Sequence, residues 1–516
     1  ANPAVVTSSS HGYSNGDFVV ITGVVGMTEV NGKTFKVADK TTNTFELQDV
    51  DGTDINSSGY TAYSSAGTAN KIYEISSPYL TAELFDIKFA QSADVMYLVH
   101  PNHETMKLSR TGHTSWTLTE VDFTDGPYLP VNTTATTLTP AQSATGTGVN
   151  ITASSTTGIN GGNGFQTTDV GRIISFNSGK AKITARTNTT VVVCTITTAF
   201  ANTDATAAFK LGAFSDTTGH ASCVSFFEQR LVFAGTNDEP QTLYFSKSGD
   251  YENMTTGTNA DDAMVYTIAS NQVNKIRYLK AVRTLLIGTT GGEFSVSADG
   301  TDAAVTPTNV TIKRQSSFGA ANVDAQPAGN AVLFLQRAKR KIRELAYNYD
   351  SDGYVAPDLT ILNETVTKSG VTEMAYQEAP DSILWCVRDD GILAGLTYQR
   401  TDNVVAWHRH IVGGKSDTTK NIVQQQISFT ANGTVVSTNN NTITLSSHGL
   451  STNDPIYYYA AANAITGLTS GSLYYVIATD SNTIKLATSA ANSAAGTAIT
   501  LTAPGTASTQ YIYQGV

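Results

Sequence analysis

The chain has 516 residues, of which 40% are apolar and only 15% charged, and its net charge is −11. That apolar content excludes global disorder, no run approaches the ~18 apolar residues of a membrane span, and the acidic balance argues against general attraction to nucleic acid. Thr, Ser, Asn and Gly stand where charges usually do, which favours strands joined by tight turns. The expected class is all-β.

Residues 1–70 read as a small β module. Ser9, Ser10, His11, Gly12, Asn15 and Asp17 form a turn-rich opening, then come a strand (18–21), a Gly turn at Gly32, a second strand (35–37) and an Asn43-Thr44 turn into a third (45–47). The pattern returns near the other end, with Ser446, Ser447, His448, Gly449, Asn453 and Asp454 opening it. There the strand Phe18-Val19-Val20-Ile21 reads against Ile456-Tyr457-Tyr458-Tyr459, Gly32 against Gly471 and Asn43 against Asn482. Two copies so far apart cannot stack as a solenoid, so they are expected as attachments to a body between them. The equivalent histidines are expected to make a structural turn hydrogen bond.

Residues 71–132 read as a four-strand meander, the size of one propeller blade. Within it His100, His103 and Glu104 have the residue types of a metal cluster, but no third ligand group lies nearby in sequence, so they are read as polar turn residues. Residues 133–210 change to a Thr, Ser, Gly and Ala composition. They are expected as an inserted β domain whose loosest point is 158–164.

Residues 211–426 return to paired apolar strands at blade-like spacing. Five units are expected in all, counting 71–132 as the first, with a short helix near 324–328 or 359–363. The basic run Arg337, Lys339, Arg340, Lys341 and Arg343 stands out in an acidic chain. It is a solvated hairpin turn, or a contact for DNA phosphates or for an acidic surface on a neighbouring subunit. Asp261-Asp262, Asp350-Asp352 and Asp389-Asp390 read as turn residues, the middle pair faintly resembling a calcium loop without its later glutamate. His408 and His410 alternate on a strand, as a ligand pair or a solvated strand end. Residues 427–516 hold the second module, whose Tyr457, Tyr458 and Tyr459 are the candidate surface aromatic platform, followed by a loose tail from 499. Cys194, Cys223 and Cys386 are too far apart to suggest a metal or disulfide framework and read as buried thiols. No phosphate loop, Gly-x-Ser-x-Gly elbow or catalytic set emerges. No cofactor, metal or enzymatic activity is expected.

Residues 219–236, 240–253, 329–334, 340–345 and 358–360 carry a family likeness. The stretch from Gly219 through Cys223, Phe226, Glu228, Gln229, Arg230 and Phe233, on to Tyr244, Asp250 and Tyr251, resembles the tail nozzle proteins of short-tailed double-stranded DNA bacteriophages, also called tail tubular protein B. The terminal modules are similar to small β repeats of phage tail proteins. The resemblance implies a propeller-like body with small β-barrel or sandwich modules. It implies a homo-oligomeric, six-fold ring at the lower end of the tail, binding the adaptor protein and tail fibres and passing genomic DNA at ejection. It implies a virion location, with host cytoplasm during assembly and no membrane insertion. Family members have more sequence before the first module, so the chain reads as a processed or partial product. Six copies at −11 each would discourage DNA from adhering in transit. A glycan-binding host-surface protein is the alternative, and a propeller polysaccharide hydrolase a less favoured one.

Overall fold

The computed structural model describes residues 1–269, 273–300, 303–410, 415–416, 422–423, 426–504 and 508–514. It is almost wholly antiparallel β, with a five-residue α-helix, Ala490–Ala494, among the described residues. The chain divides into two compact units. The first holds residues 1–79 with 93–95 and 107–119, and the second holds the remainder.

The first unit contains the N-terminal module. Its strands are Ala4–Thr7, Phe18–Thr22, Lys33–Ala38, Thr44–Gln48 and Thr68–Lys71, in sheet order first, fourth, third, second, fifth. Period-two burial places Val19, Ile21, Phe35, Val37, Phe45 and Leu47 in one core.

The body is propeller-like. Five four-stranded meanders each run in simple chain order. Blade 1 spans Lys88–Ser92 to Ser115–Glu120, blade 2 Cys223–Phe227 to Met264–Thr267, and blade 3 Ile276–Ala281 to Thr311–Ser316. Blade 4 spans Gln326–Ala328 to Gly353–Val355, and blade 5 Val371–Gln377 to Val404–His410. The first strand of blade 2 lies against the first strands of blades 1 and 3, and that of blade 4 against that of blade 5. Lys88 makes this convergence visible. Its ammonium donates to Cys223 Sγ at 3.6 Å, to the carbonyl of Arg277 and to Asn322 Oδ1 at 3.4 Å, reaching blades 2 and 3 and the segment entering blade 4. Faces of neighbouring blades share cores, one joining Val232, Leu243 and Phe245 to Ile276, Leu285 and Val296, another joining Leu333 and Ile342 to Leu384 and Leu396. The helix expected near 324–328 is instead the strand Gln326–Ala328, and 359–363 is a turn before the short 3-10 segment Glu364–Thr367.

The inserted domain is a six-stranded sheet between Leu138–Pro140 and Lys210–Leu211, with its own core around Ile151, Phe165, Ile174 and Val192. Its Gly-rich segment, expected to be loose, is anchored. Arg172, 2% exposed, donates to Asn160 Oδ1 at 2.7 Å and to Asp169 Oδ1 at 2.8 Å. Gly164 also packs too tightly for a side chain, since a Cβ there would lie 2.3 Å from the Thr189 carbonyl.

The second copy of the module forms a seven-stranded sheet. The tail expected to be loose is a strand, Ser508–Gln514, pairing with both Pro455–Ala460 and Gln426–Ala431.

Candidate functional site

The paired modules share a hydrogen-bonded turn built on histidine. The Tyr13 amide donates to His11 Nδ1 at 3.0 Å, which leaves the proton on Nε2, 3.3 Å from the Thr44 carbonyl. In the second copy the Leu450 amide donates to His448 Nδ1 at 2.9 Å, and Nε2 faces the Asp480 carbonyl at 2.9 Å. The Ser14 and Ser451 amides donate to Asp17 and Asp454 at 2.8 Å in both copies. Neutral imidazole, with one donor and one acceptor, suits this turn.

The same bonds correct the register of the repeat. Gly32 donates to the Ile21 carbonyl and Gly471 to the Tyr458 carbonyl. Ile21 therefore matches Tyr458, not Tyr459, and Val19 matches Ile456. Tyr458 is a core residue, fully buried, donating to Gln510 Oε1 and accepting from the Ile465 amide at 2.8 Å. The three-tyrosine platform is thus corrected, because neighbouring residues on a strand face opposite ways. A different aromatic surface replaces it. Tyr457 pairs with Tyr513 and with Leu473, Tyr459 with Tyr511, and Pro455 with Tyr475. Five tyrosines and a leucine from three adjacent strands therefore share one face, with Tyr459 and Tyr513 edge to face at 5.4 Å. Tyr511 and Tyr513 lie in the stretch taken as a loose tail, which hid them.

The basic run does not act as one patch. Arg337, Lys339 and Arg340 are exposed at a hairpin turn where Lys339 has φ 60°. Lys341 is paired with Asp358 at 2.7 Å and Glu364 at 3.3 Å. Arg343 lies 3.5 Å over the Phe318 ring and donates to Gln336 and Ala356. Two of the five cations are thereby committed to the fold, Arg337 donates to the Thr290 carbonyl at 3.3 Å, and Lys339 and Arg340 are exposed beside it.

Other candidates resolve similarly. Asp352 accepts from the Tyr347 hydroxyl at 2.7 Å, Asp261 and Asp262 hold Lys247, and Asp390 pairs with Arg388. His408 Nδ1 and His410 Nε2 are 2.7 Å apart beside Trp385, and burial, then His410, hold the His408 pKa below its usual value. All three thiols are free and buried, and burial pushes that of Cys194 up to about 12. Glu104 faces Glu120, and burial followed by this neighbour pushes its carboxyl up to about 7.

His100 and His103, read above as turn residues without a third ligand, do have one: Glu83, 17 positions before His100 in sequence. A cleft of about 1070 Å³ also opens at the turns of blades 2 to 4, where Arg283 lies 5.9 Å over Tyr347 and Glu228 accepts from the Val305 amide.

Residues 1–72 match the family model of the ubiquitin-activating enzyme E1 FCCH domain, a match confined to the first module. No curated protein matches the chain. Similar solved structures include a putative 6-phosphogluconolactonase from Bacteroides uniformis, 12% identical, covering 79% of this chain and 97% of that one at a TM-score of 0.30. Kluyveromyces lactis Hsv2p is 8% identical over 76% and 97% at 0.26. The Neurospora crassa Pan2 WD40 domain is 7% identical over 65% and 82% at 0.27. At such scores the propeller-like assignment rests on the blade order of this chain.

Proposed function

We propose that the chain is a structural subunit of a ring-shaped nozzle closing the lower end of a short phage tail. The observation that carries this reading is how the separate motifs of the family likeness come together. Glu228 and Gln229 take left-handed backbone, with φ 45° and 59°, to make the tight hairpin opening blade 2. Arg230 behind them is buried and donates to the carbonyls of Ser246, Ala260 and Asp262. Lys341 of one motif is ion-paired with Asp358 of another, and Arg343 bridges to Asp358 through backbone. These residues build blades, as a conduit wall requires. On this reading Arg337, Lys339 and Arg340 contact an acidic neighbouring subunit or passing phosphates, and adaptor and fibre proteins dock on the ring. Mass photometry and electron microscopy of the purified chain test the proposal. Six copies of 54.6 kDa in a closed ring with an axial opening are expected. A stable monomer or a trimeric spike at high concentration sinks it.

The tyrosine face favours a second reading, a surface that binds glycans. Sugar rings stack on aromatic faces while phenol hydroxyls offer hydrogen bonds, and this face presents both. Replacing Tyr457, Tyr459, Tyr511 and Tyr513 by Thr is expected to abolish retention of bacterial surface polysaccharide. Equal retention by wild type and variant removes this reading and leaves the ring untouched.

A further inference from the structure

We propose that Glu83, His100 and His103 form a binding site for a divalent transition-metal ion, zinc by the nature of the donors, within the second unit. One ligand atom from each lies within 4.8 Å of the others. Two imidazoles and a carboxylate are the donor set of an open zinc site, with a fourth position left for water or another ligand.

Local structure explains why these side chains converge. His100 ends one strand of blade 1 and His103 begins the next, so the turn through Pro101 and Asn102 brings both rings to one side, 5.0 Å apart between centroids. Glu83 stands on the short 3-10 segment Thr81–Asp86, where the Leu80 amide donates to its Oε2 at 2.9 Å and fixes the carboxylate. That amide, then His103, hold the Glu83 carboxyl below its usual pKa. His100 is 2% exposed, whereas the side chains of Glu83 and His103 are about a fifth exposed, which gives an ion a way in.

Existing bonds must yield to the ion. His103 Nε2 and Glu83 Oε2 are 2.7 Å apart, with a proton between them. Zinc bonds of about 2.0–2.1 Å in a tetrahedron put ligand atoms about 3.3 Å apart, so the pair opens by roughly half an ångström. His100 Nδ1 accepts from the Asn102 amide at 3.2 Å. Whichever ring nitrogen takes the metal, this long bond is given up. Binding therefore releases the proton that His103 and Glu83 share. The ion would tie the segment 81–86 to the hairpin of blade 1. That segment carries Leu84 and Phe85, 51% and 71% exposed, and its Asp86 accepts from Asn322 at 3.2 Å.

The test is calorimetric titration of chelator-treated full chain with ZnCl₂, together with the visible spectrum after Co²⁺ is added. One site of micromolar or tighter affinity and an intense tetrahedral cobalt band are expected. H103A and E83Q should each weaken binding by more than the roughly 10–100-fold that loss of a supporting group costs. E83Q keeps an acceptor for Leu80, so it stays interpretable if H103A misfolds. The double variant H408A/H410A removes the other close histidine pair and should bind as wild type does. No zinc binding by wild type, unchanged affinity in E83Q and H103A, or loss confined to H408A/H410A overturns the proposal.

Discussion

Val19 and Ile456 hold the same place in two copies of one sheet, as do Phe35 and Tyr474, Phe45 and Ile484, and Leu47 and Leu486, and all eight are buried. The five strands common to both copies also keep one order, to which the second copy adds a strand at each edge. The free faces differ. Outward positions of the first copy hold Val20, Thr22, Thr34, Lys36, Thr68 and Asn70, and the matching positions of the second hold Tyr457, Tyr459, Leu473, Tyr475, Tyr511 and Tyr513. Core positions answer to packing, which both copies must satisfy. Solvent-facing positions answer to what the surface meets, because function lives in sites grafted on a fold. The first copy thus serves as an internal control for the second.

The sharpest test of this division uses adjacent tyrosines. Tyr458→Ala removes a fully buried ring and leaves Gln510 and the Ile465 amide without their partner, for an expected loss of about 3–5 kcal/mol. Tyr459→Ala, one residue on, should stay within about 0.5 kcal/mol. Urea unfolding monitored on the module's tyrosine fluorescence measures both. Similar losses at the two sites would break the assignment of faces.

That contrast marks where sequence reading reached its limit. Continuous apolar runs such as Arg230–Ala234, bounded by turns, announce their strands, and blade-like spacing gave five units, which the sheets match. Four consecutive residues Ile456 to Tyr459 offer no alternation of polarity, so their register could not be read and slipped by one. The hydrogen bonds of Gly32 and Gly471 settle it. Long-range partners were equally hidden. Lys341 looked free because Asp358 and Glu364 lie 17 and 23 residues away, and His100 looked ligand-poor because Glu83 belongs to a separate segment.

The histidine turns give the next largest effect. His448 is 3% exposed, while His11 is only half-buried, and both join the amide two residues on to a carbonyl across the sheet. A buried hydrogen-bonding group costs more to delete than a wet one. His448→Ala should therefore cost about 1–3 kcal/mol and His11→Ala about 1 kcal/mol or less. Thermal unfolding of each variant checks the order, and a larger loss at His11 would mean that burial does not set the strength of the shared turn.

The smallest effect lies in an ion pair of the first copy. Lys71 Nζ is 2.7 Å from Asp17 Oδ2 in the first module, at a position where the second module's sheet register puts Gln514. Burial opposes ionisation of Asp17, but the Lys71 ammonium and the Ser14 amide outweigh it and hold its carboxyl below the usual 3.8. A carboxylate depressed in the folded state stabilises the fold above its unfolded pKa and loses that contribution as pH falls through the folded value. Stability from this pair is thus complete above about pH 4 and disappears only in more acid solution. Because Lys71 is half exposed, solvent screening keeps the pair to about 0.2–1 kcal/mol. K71Q should lower stability by that amount at pH 7, by less in high salt, and not at all once Asp17 is protonated. A K71Q loss that persists at pH 2 would assign the effect to packing of the lysine stem. The two copies would then differ at this edge by contact area alone.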